Sequence, residues 1–243
     1  MTMLASPVLP TRKKMTDDAT LETFRLADSF LPVGTYTASY GLEQFVQDDR
    51  VRDASDLKAL LTTYLRQQIG AADLVALRTA HAAARAGDLE KINSADRQLT
   101  AVTLPAEFRE SAQRSGDRLL SLQRELRESD LLDRYADRVE EDDTPGNYAV
   151  VLGVATGLAD VDEREACLLC CHGFVTGLLG AAQRLLSLGH TDAQRVLNAL
   201  QPVMITAVND SSGRALQDMT PFAPLIDILA ADHERAERRL FVS

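Results

Sequence analysis

Tryptophan is absent from the sequence, and aromatic residues make up only 5% of it. β-Sandwiches and barrels draw on aromatic and β-branched side chains, so this scarcity argues against them. Lysine is nearly absent too, with four residues against 22 arginines. Acidic residues outnumber basic ones 36 to 26, for a formal net charge of −10. A nucleic-acid-binding face needs clustered positive charge, and no such cluster is present, so nucleic acid is excluded as a partner. The preference for Arg over Lys and Asp over Glu fits a salt-rich cytoplasm or a GC-rich gene equally well.

Cysteine is confined to Cys167, Cys170 and Cys171. Three thiols on one segment cannot bridge distant parts of a chain, so no disulfide framework is expected. The first residues, MTMLASPVLPTRKKMTDD, lack a basic stretch followed by an apolar core. They do not read as a signal peptide. Residues 1–19 are expected to be a disordered arm, and the protein cytoplasmic. The longest apolar run, ACLLCCHGFVTGLLGAA (166–182), is interrupted by His172 and Thr176. It falls just short of the roughly 20 residues that span a bilayer, so a buried core helix is expected and no membrane.

Local catalytic signatures are missing as well. His81, His172, His190 and His233 form no His-x-x-x-His or Glu-x-x-His pair, and neither a nucleophile elbow nor a phosphate-binding glycine loop occurs. The acidic run Glu140–Asp143 reads as a solvated loop. No catalytic residue, cofactor or metal ligand is assigned, and the balance shifts from enzyme to binding protein.

What the chain does have is leucine and alanine, within a hydrophobic fraction of 45%. These favour helices packed on helices. Helical spacing predicts a short helix over 21–30, stopped by Pro32. A second runs from near Tyr36 to about Gln47. A third is capped by Asp53 and runs unbroken to about Ala86. Another ends near Thr100, and Pro105 is placed as the first residue of a long helix. Residues 140–147 (EEDDTPGN) read as a loop. Helices are then expected over 148–159, from Glu163, from about Asp192 to Val208, and after Pro221. The fold class is all-α: a single domain of roughly ten helices over residues 20–243.

Three features stand out against that background. Cys167, Cys170, Cys171 and His172 offer soft metal ligands, but they lie in an apolar helix without carboxylates, and His172 turns about 100° from Cys171. Packing is the favoured reading, with a helical metal-binding or thiol-redox protein as the alternative. Glycines at four-residue spacing, Gly153/Gly157 and Gly173/Gly177, suit close helix packing within one chain or a homodimer seam. At the end of the chain, Arg235, Arg238 and Arg239 flank the apolar pair Leu240-Phe241, which docks on the chain's own core or on a partner. The three arginines are also candidates for insertion into a GTPase site.

The segment DSFLPVGTYTASYGLEQFVQ (28–47) carries a resemblance to a known family. Leu31-Pro32-Val33-Gly34, Tyr36, Ser39, Gly41, Leu42 and Glu43 resemble the early signature of UreF urease accessory proteins. Pro105-Ala106-Glu107, Arg109, Gly116 and Leu119-Leu120 resemble that family's middle helix. SLGHTDAQRVL (187–197) is similar to a third stretch, and Arg239-Leu240-Phe241-x-Ser243 to its ending. The chain departs from the pattern at Thr35-Tyr36, Asn147-Tyr148 and His190, and its cysteines look like a local substitution. The resemblance implies an all-α, homodimeric, non-enzymatic chaperone. It would bridge the UreD/UreH accessory protein and the UreG GTPase and help deliver nickel to the urease apoprotein. The residues expected at partner or dimer contacts are Pro32, Gly34, Tyr36, Ser39, Gly41, Glu43, Gly173, Gly177, Arg235, Arg238, Arg239, Leu240 and Phe241.

Overall fold

A computed structural model describes residues 15–34 and 39–234. Among these residues there is no strand. The α-helices are α1 (Asp17–Ala27), α2 (Leu42–Gln47), α3 (Ala54–Tyr64), α4 (Leu74–Ala86), α5 (Leu89–Val102), α6 (Ala106–Leu126), α7 (Asp130–Glu140), α8 (Tyr148–Leu158), α9 (Glu163–Leu185), α10 (His190–Asp210) and α11 (Pro224–Glu234). The all-α expectation holds.

Local chemistry sets most boundaries. Asp53 caps α3 as expected, its carboxylate accepting from the N–H groups of Ser55 (2.8 Å) and Asp56 (3.0 Å). Thr16 caps α1, which therefore starts at Asp17 and not near residue 21. Residues 17–19 of the expected arm are thus helical, and residues 1–14 lie outside the described residues. Pro105 is the residue before α6, not its first. α2 starts at Leu42, later than expected, because Tyr40 (φ 47°) and Gly41 (φ 75°) leave helical space just before it. The predicted third helix is not continuous: residues Leu65–Asp73 form a π-helical segment between α3 and α4. α7 was not expected, although Ser129 caps it and Leu131, Leu132, Tyr135 and Ala136 form its buried face.

α8 lies at the centre, buried from Ala149 to Gly157. Its two glycines let the α4 backbone come close. A Cβ on Gly153 would sit 2.5 Å from the Leu77 carbonyl oxygen, and one on Gly157 would sit 2.7 Å from that of His81. This glycine pair therefore serves packing within the chain. Helix α9 is long and apolar enough, by length and composition, to cross a membrane, a little beyond the sequence expectation. Just over half of that apolar stretch is buried against the rest of the protein, as in a core helix.

One buried carboxylate organises the loop between α7 and α8. Asp96 on α5 is fully buried. It accepts from the Tyr135 hydroxyl (2.7 Å), the Thr144 hydroxyl (3.0 Å), the Gly146 N–H (2.7 Å), and the N–H (2.9 Å) and Nδ2 (2.6 Å) of Asn147. A carboxylate that accepts several hydrogen bonds satisfies its own burial and fixes every donor around it.

Candidate partner-binding site

The turn that leads into α2 is built tightly. Gly34 is buried at φ 75°, in left-handed space, where a side chain is strained. A Cβ there would lie 2.0 Å from Nη1 of Arg118 on α6, so the glycine also makes room for that guanidinium. Ser39 is fully buried. The Tyr40 carbonyl accepts a hydrogen bond from the Tyr64 hydroxyl on α3. The Tyr40 ring meets Phe108 and Phe174 edge-on, with centroids 5.3 and 5.2 Å apart. Gly41 brings α2 onto α11, with Ala230 Cα 3.7 Å from the Cβ it lacks. Glu43 is buried and accepts from Gln47 Nε2 at 3.2 Å. Gly34 and Tyr40 thus hold the turn against α3, α6 and α9, and Gly41 brings α2 onto α11.

The predicted contact residues fall into separate groups. Gly34, Ser39, Gly41 and Glu43 face the interior and shape the turn, and Pro32 is exposed on it. Gly173 and Gly177 lie half-buried on α9, away from that turn in sequence, and a Cβ on Gly173 would meet nothing within 4 Å. Tyr36, Arg235, Arg238, Arg239, Leu240 and Phe241 lie outside the described residues.

The cysteines pack in the core. All three are buried, and burial pushes the Cys167 thiol up to about 11 and the Cys170 and Cys171 thiols further up. His172 is exposed, on a different side of the helix. Among the described residues no three His, Cys, Asp or Glu side chains are grouped to hold a metal.

Behind the turn lies a polar feature that the sequence reading missed. A cavity of about 60 Å³ is lined by Tyr40, Gln68, Asp73, Thr103, Asn147 and Asp227, among apolar neighbours. A second cavity of about 50 Å³ shares Tyr40 and Asp73 and reaches Cys170, Gly173 and Gly177. Burial pushes the Asp73 carboxyl up to about 7, opposed by its own backbone N–H. Burial also raises Asp227 and Tyr40. The signal in the sequence was a lone acid within IGAADLVAL (69–77). Periodicity places it inside the third predicted helix, with nothing to set it apart.

The sign of the Asp73 effect is fixed by its raised value. The carboxyl is neutral in both states below about 4, so its contribution there is complete. Stability is lost as pH rises from about 4, the unfolded value, to about 7, the folded one. Asp73→Asn is therefore expected to match the parent near pH 4 and exceed it at pH 8. A shift from about 4 to about 7 is worth at most about 4 kcal/mol, and because Asp73 keeps some exposure a gain of about 2 kcal/mol is expected, read by urea unfolding at the two pH values.

These features define a class: an all-helical protein whose special chemistry is a rigid turn and a small acidic interior. The UreF family profile matches residues 51–201. A urease accessory protein UreF from Trichodesmium erythraeum is 34% identical over 227 residues, covering 92% of this chain and 96% of that protein. Urease accessory protein UreF 1 from Brucella melitensis is 33% identical over 223 residues, covering 92% of each chain. A UreF from Bacillus sp. strain TB-90 is 29% identical over 223 residues, covering 92% of this chain and 98% of its own. The chain belongs to the UreF family.

Proposed function

We propose that this protein acts in urease maturation as a non-enzymatic adaptor. It bridges the UreD/UreH accessory protein and the UreG GTPase so that nickel is delivered to the urease apoprotein. The observation that carries the reading is the similarity to urease accessory proteins across 92% of the chain. The buried cysteines, with thiols raised by burial, weaken the metal or thiol-redox alternative, because the thiolate is the form that binds metal and attacks. Helix α9, with Gly173 and Gly177 half-buried on it, is the proposed seam of a homodimer, since small residues let a second backbone approach.

The test is co-expression with UreD/UreH, UreG and the urease subunits, followed by pull-down and light scattering. The intact chain is expected to co-purify with both accessory proteins as a dimer-based complex. Deleting Arg239–Ser243 is expected to leave the helical circular dichroism unchanged and to lower recovery of UreD/UreH at least tenfold. That segment lies outside the described residues, and an apolar pair behind three arginines gains most from a partner's groove. Unchanged recovery would remove the tail from the interface, and failure of the intact chain to capture either protein would sink the adaptor reading.

A further inference from the structure

Helix α1 carries apolar side chains on both of its faces. Ala19 and Leu26 are buried, and the helix packs on α9. Away from that contact, Leu21 is 64% and Phe24 is 66% exposed. They are three residues apart, so they stand together on one face. Phe30, in the turn after the helix, is 90% exposed. A surface helix normally turns polar residues to water, and an apolar stripe in their place gains from a cover.

The start of the same helix is acidic. Asp17 and Asp18 occupy its first turn. Met15 and Thr16 line a surface pocket of about 260 Å³ together with Arg85, Asp160, Asp162 and Glu163. Arg85 pairs with Asp160 at 2.7 Å, and Arg78 pairs with Glu163. Asp17, Asp18 and Asp162 have no ion pair with a described residue. Asp162 and Glu165 lie three apart at the start of α9, so the acidic surface continues onto that helix.

The residues before Met15 have the complementary composition. Arg12-Lys13-Lys14 is joined directly to it, and two of the four lysines of the chain are here. Further back come Leu4, Val8 and Leu9, with Pro7 and Pro10 among them. Proline fixes φ near −65° and removes an N–H, so this sequence favours an extended course over a helix. The lengths also agree. Measured from Asp17, Leu21 is about 6 Å along the helix axis and Phe24 about 10 Å. An extended stretch over 4–9 covers roughly 19 Å, which spans both, and 10–14 supply the reversal.

We propose that residues 1–14 fold back along α1 as a strap. Arg12, Lys13 and Lys14 lie against the acidic start of α1 and α9. Val8 and Leu9 cover Leu21 and Phe24, and Leu4 runs on toward Phe30. The occupant is the chain's own segment because it is tethered beside the stripe. A short tether gives an effective concentration in the millimolar range, which places it ahead of a second copy or another protein at ordinary concentrations. Part of the attraction is between surface charges, so added salt weakens it. In this reading the first residues close an apolar surface of the free protein and are not the disordered arm that composition alone suggests. The assignment stands apart from the adaptor reading and can fail without it.

Engineered cysteine pairs test the placement in the full chain, because Cys167, Cys170 and Cys171 are buried. Leu9→Cys/Leu21→Cys and Val8→Cys/Phe24→Cys are oxidised with diamide at low salt and read by non-reducing electrophoresis and mass spectrometry. Both are expected to form a disulfide within one chain about tenfold faster than Leu9→Cys/Lys58→Cys, whose second thiol is on α3. Salt at 1 M, or Arg12→Glu/Lys13→Glu/Lys14→Glu in the same background, should slow the reaction at least threefold, and adding Asp17→Lys/Asp18→Lys to that triple change should restore it. A chain that starts at Met15 should bind the apolar dye ANS more strongly than the parent, and Phe24→Ser in that shorter chain should return binding to the parent level. If the shorter chain does not fold, the disulfide rates in the full chain still decide. Equal rates for the stripe pairs and the α3 pair overturn the proposal. So does Leu21→Cys alone forming disulfides between chains faster than the arm pair closes within one, which would give the stripe to a second copy.

Discussion

Asp96→Ala is expected to destabilise the protein by about 4 kcal/mol or more, because it strands several buried donors at once. The Tyr135 and Thr144 hydroxyls, the Gly146 and Asn147 N–H groups and the Asn147 amide all point at this one carboxylate. Each donor left dry costs about 1–3 kcal/mol, and water entering the vacated space recovers part of the sum. For a chain of 243 residues that loss corresponds to a fall in Tm of roughly 8–16 °C. Asp96→Asn is expected to fare little better. Its amide keeps one acceptor oxygen and turns an NH₂ group toward donors. Urea unfolding monitored by circular dichroism gives the measurement, and a change below about 1 kcal/mol would show that the 143–147 loop is not held by this residue. The consequence reaches the interior, because Asp96 also holds Asn147, which lines the cavity.

How much of this was legible in the sequence varies with the physics involved. The helices with regular apolar spacing and a polar cap could be read directly: Asp53 before α3 and the stripe Phe108, Ala112, Gly116 and Leu119 on α6 needed only local information. The π-helical segment could not. Leu65, Ile69 and Ala72 keep nearly helical spacing, so the wider turn leaves almost no trace in periodicity. α7 was hidden by composition: DLLDRYADRVE is mostly charged, and its buried face rests on four residues of eleven. Its cap at Ser129 was the available signal.

The site divides the same way. The signature turn was visible as an oddity, because Pro, Gly and Tyr in one short loop demand a reason. Sequence could not tell that Gly34, Ser39 and Glu43 are buried, since burial there depends on Arg118 and Gln47 meeting them from helical positions. Asp73, Asp227 and Asn147 are separated by 74 and 80 residues, and no local pattern links them. Only the packing of the π segment, the 143–147 loop and α11 puts them around one cavity.

Gly116→Ala is expected to cost about 3 kcal/mol, against the usual direction for this substitution. Glycine inside a helix is worse than alanine by about 1 kcal/mol, so propensity alone predicts a gain. Sterics reverse it. A Cβ on Gly116 would lie 1.9 Å from the Gly146 carbonyl oxygen, 2.8 Å from the Tyr148 nitrogen and 2.9 Å from the Asn147 carbonyl carbon. All three are backbone atoms, so no rotamer change relieves the overlap. α6 or the loop must move bodily, and overpacking of this kind costs typically 1–3 kcal/mol and occasionally more. The loop in question is the one Asp96 holds through Gly146 and Asn147. The two substitutions therefore damage the same element from opposite sides. A double-mutant cycle of Asp96→Ala with Gly116→Ala should show less than additive loss, with a coupling of roughly 1–3 kcal/mol. Once one change has freed the loop, the other finds little left to break. Strict additivity in urea unfolding would mean that the hydrogen-bonded carboxylate and the glycine contact secure different structures, and a stabilised Gly116→Ala protein would mean that α6 and the loop are not in contact at that point.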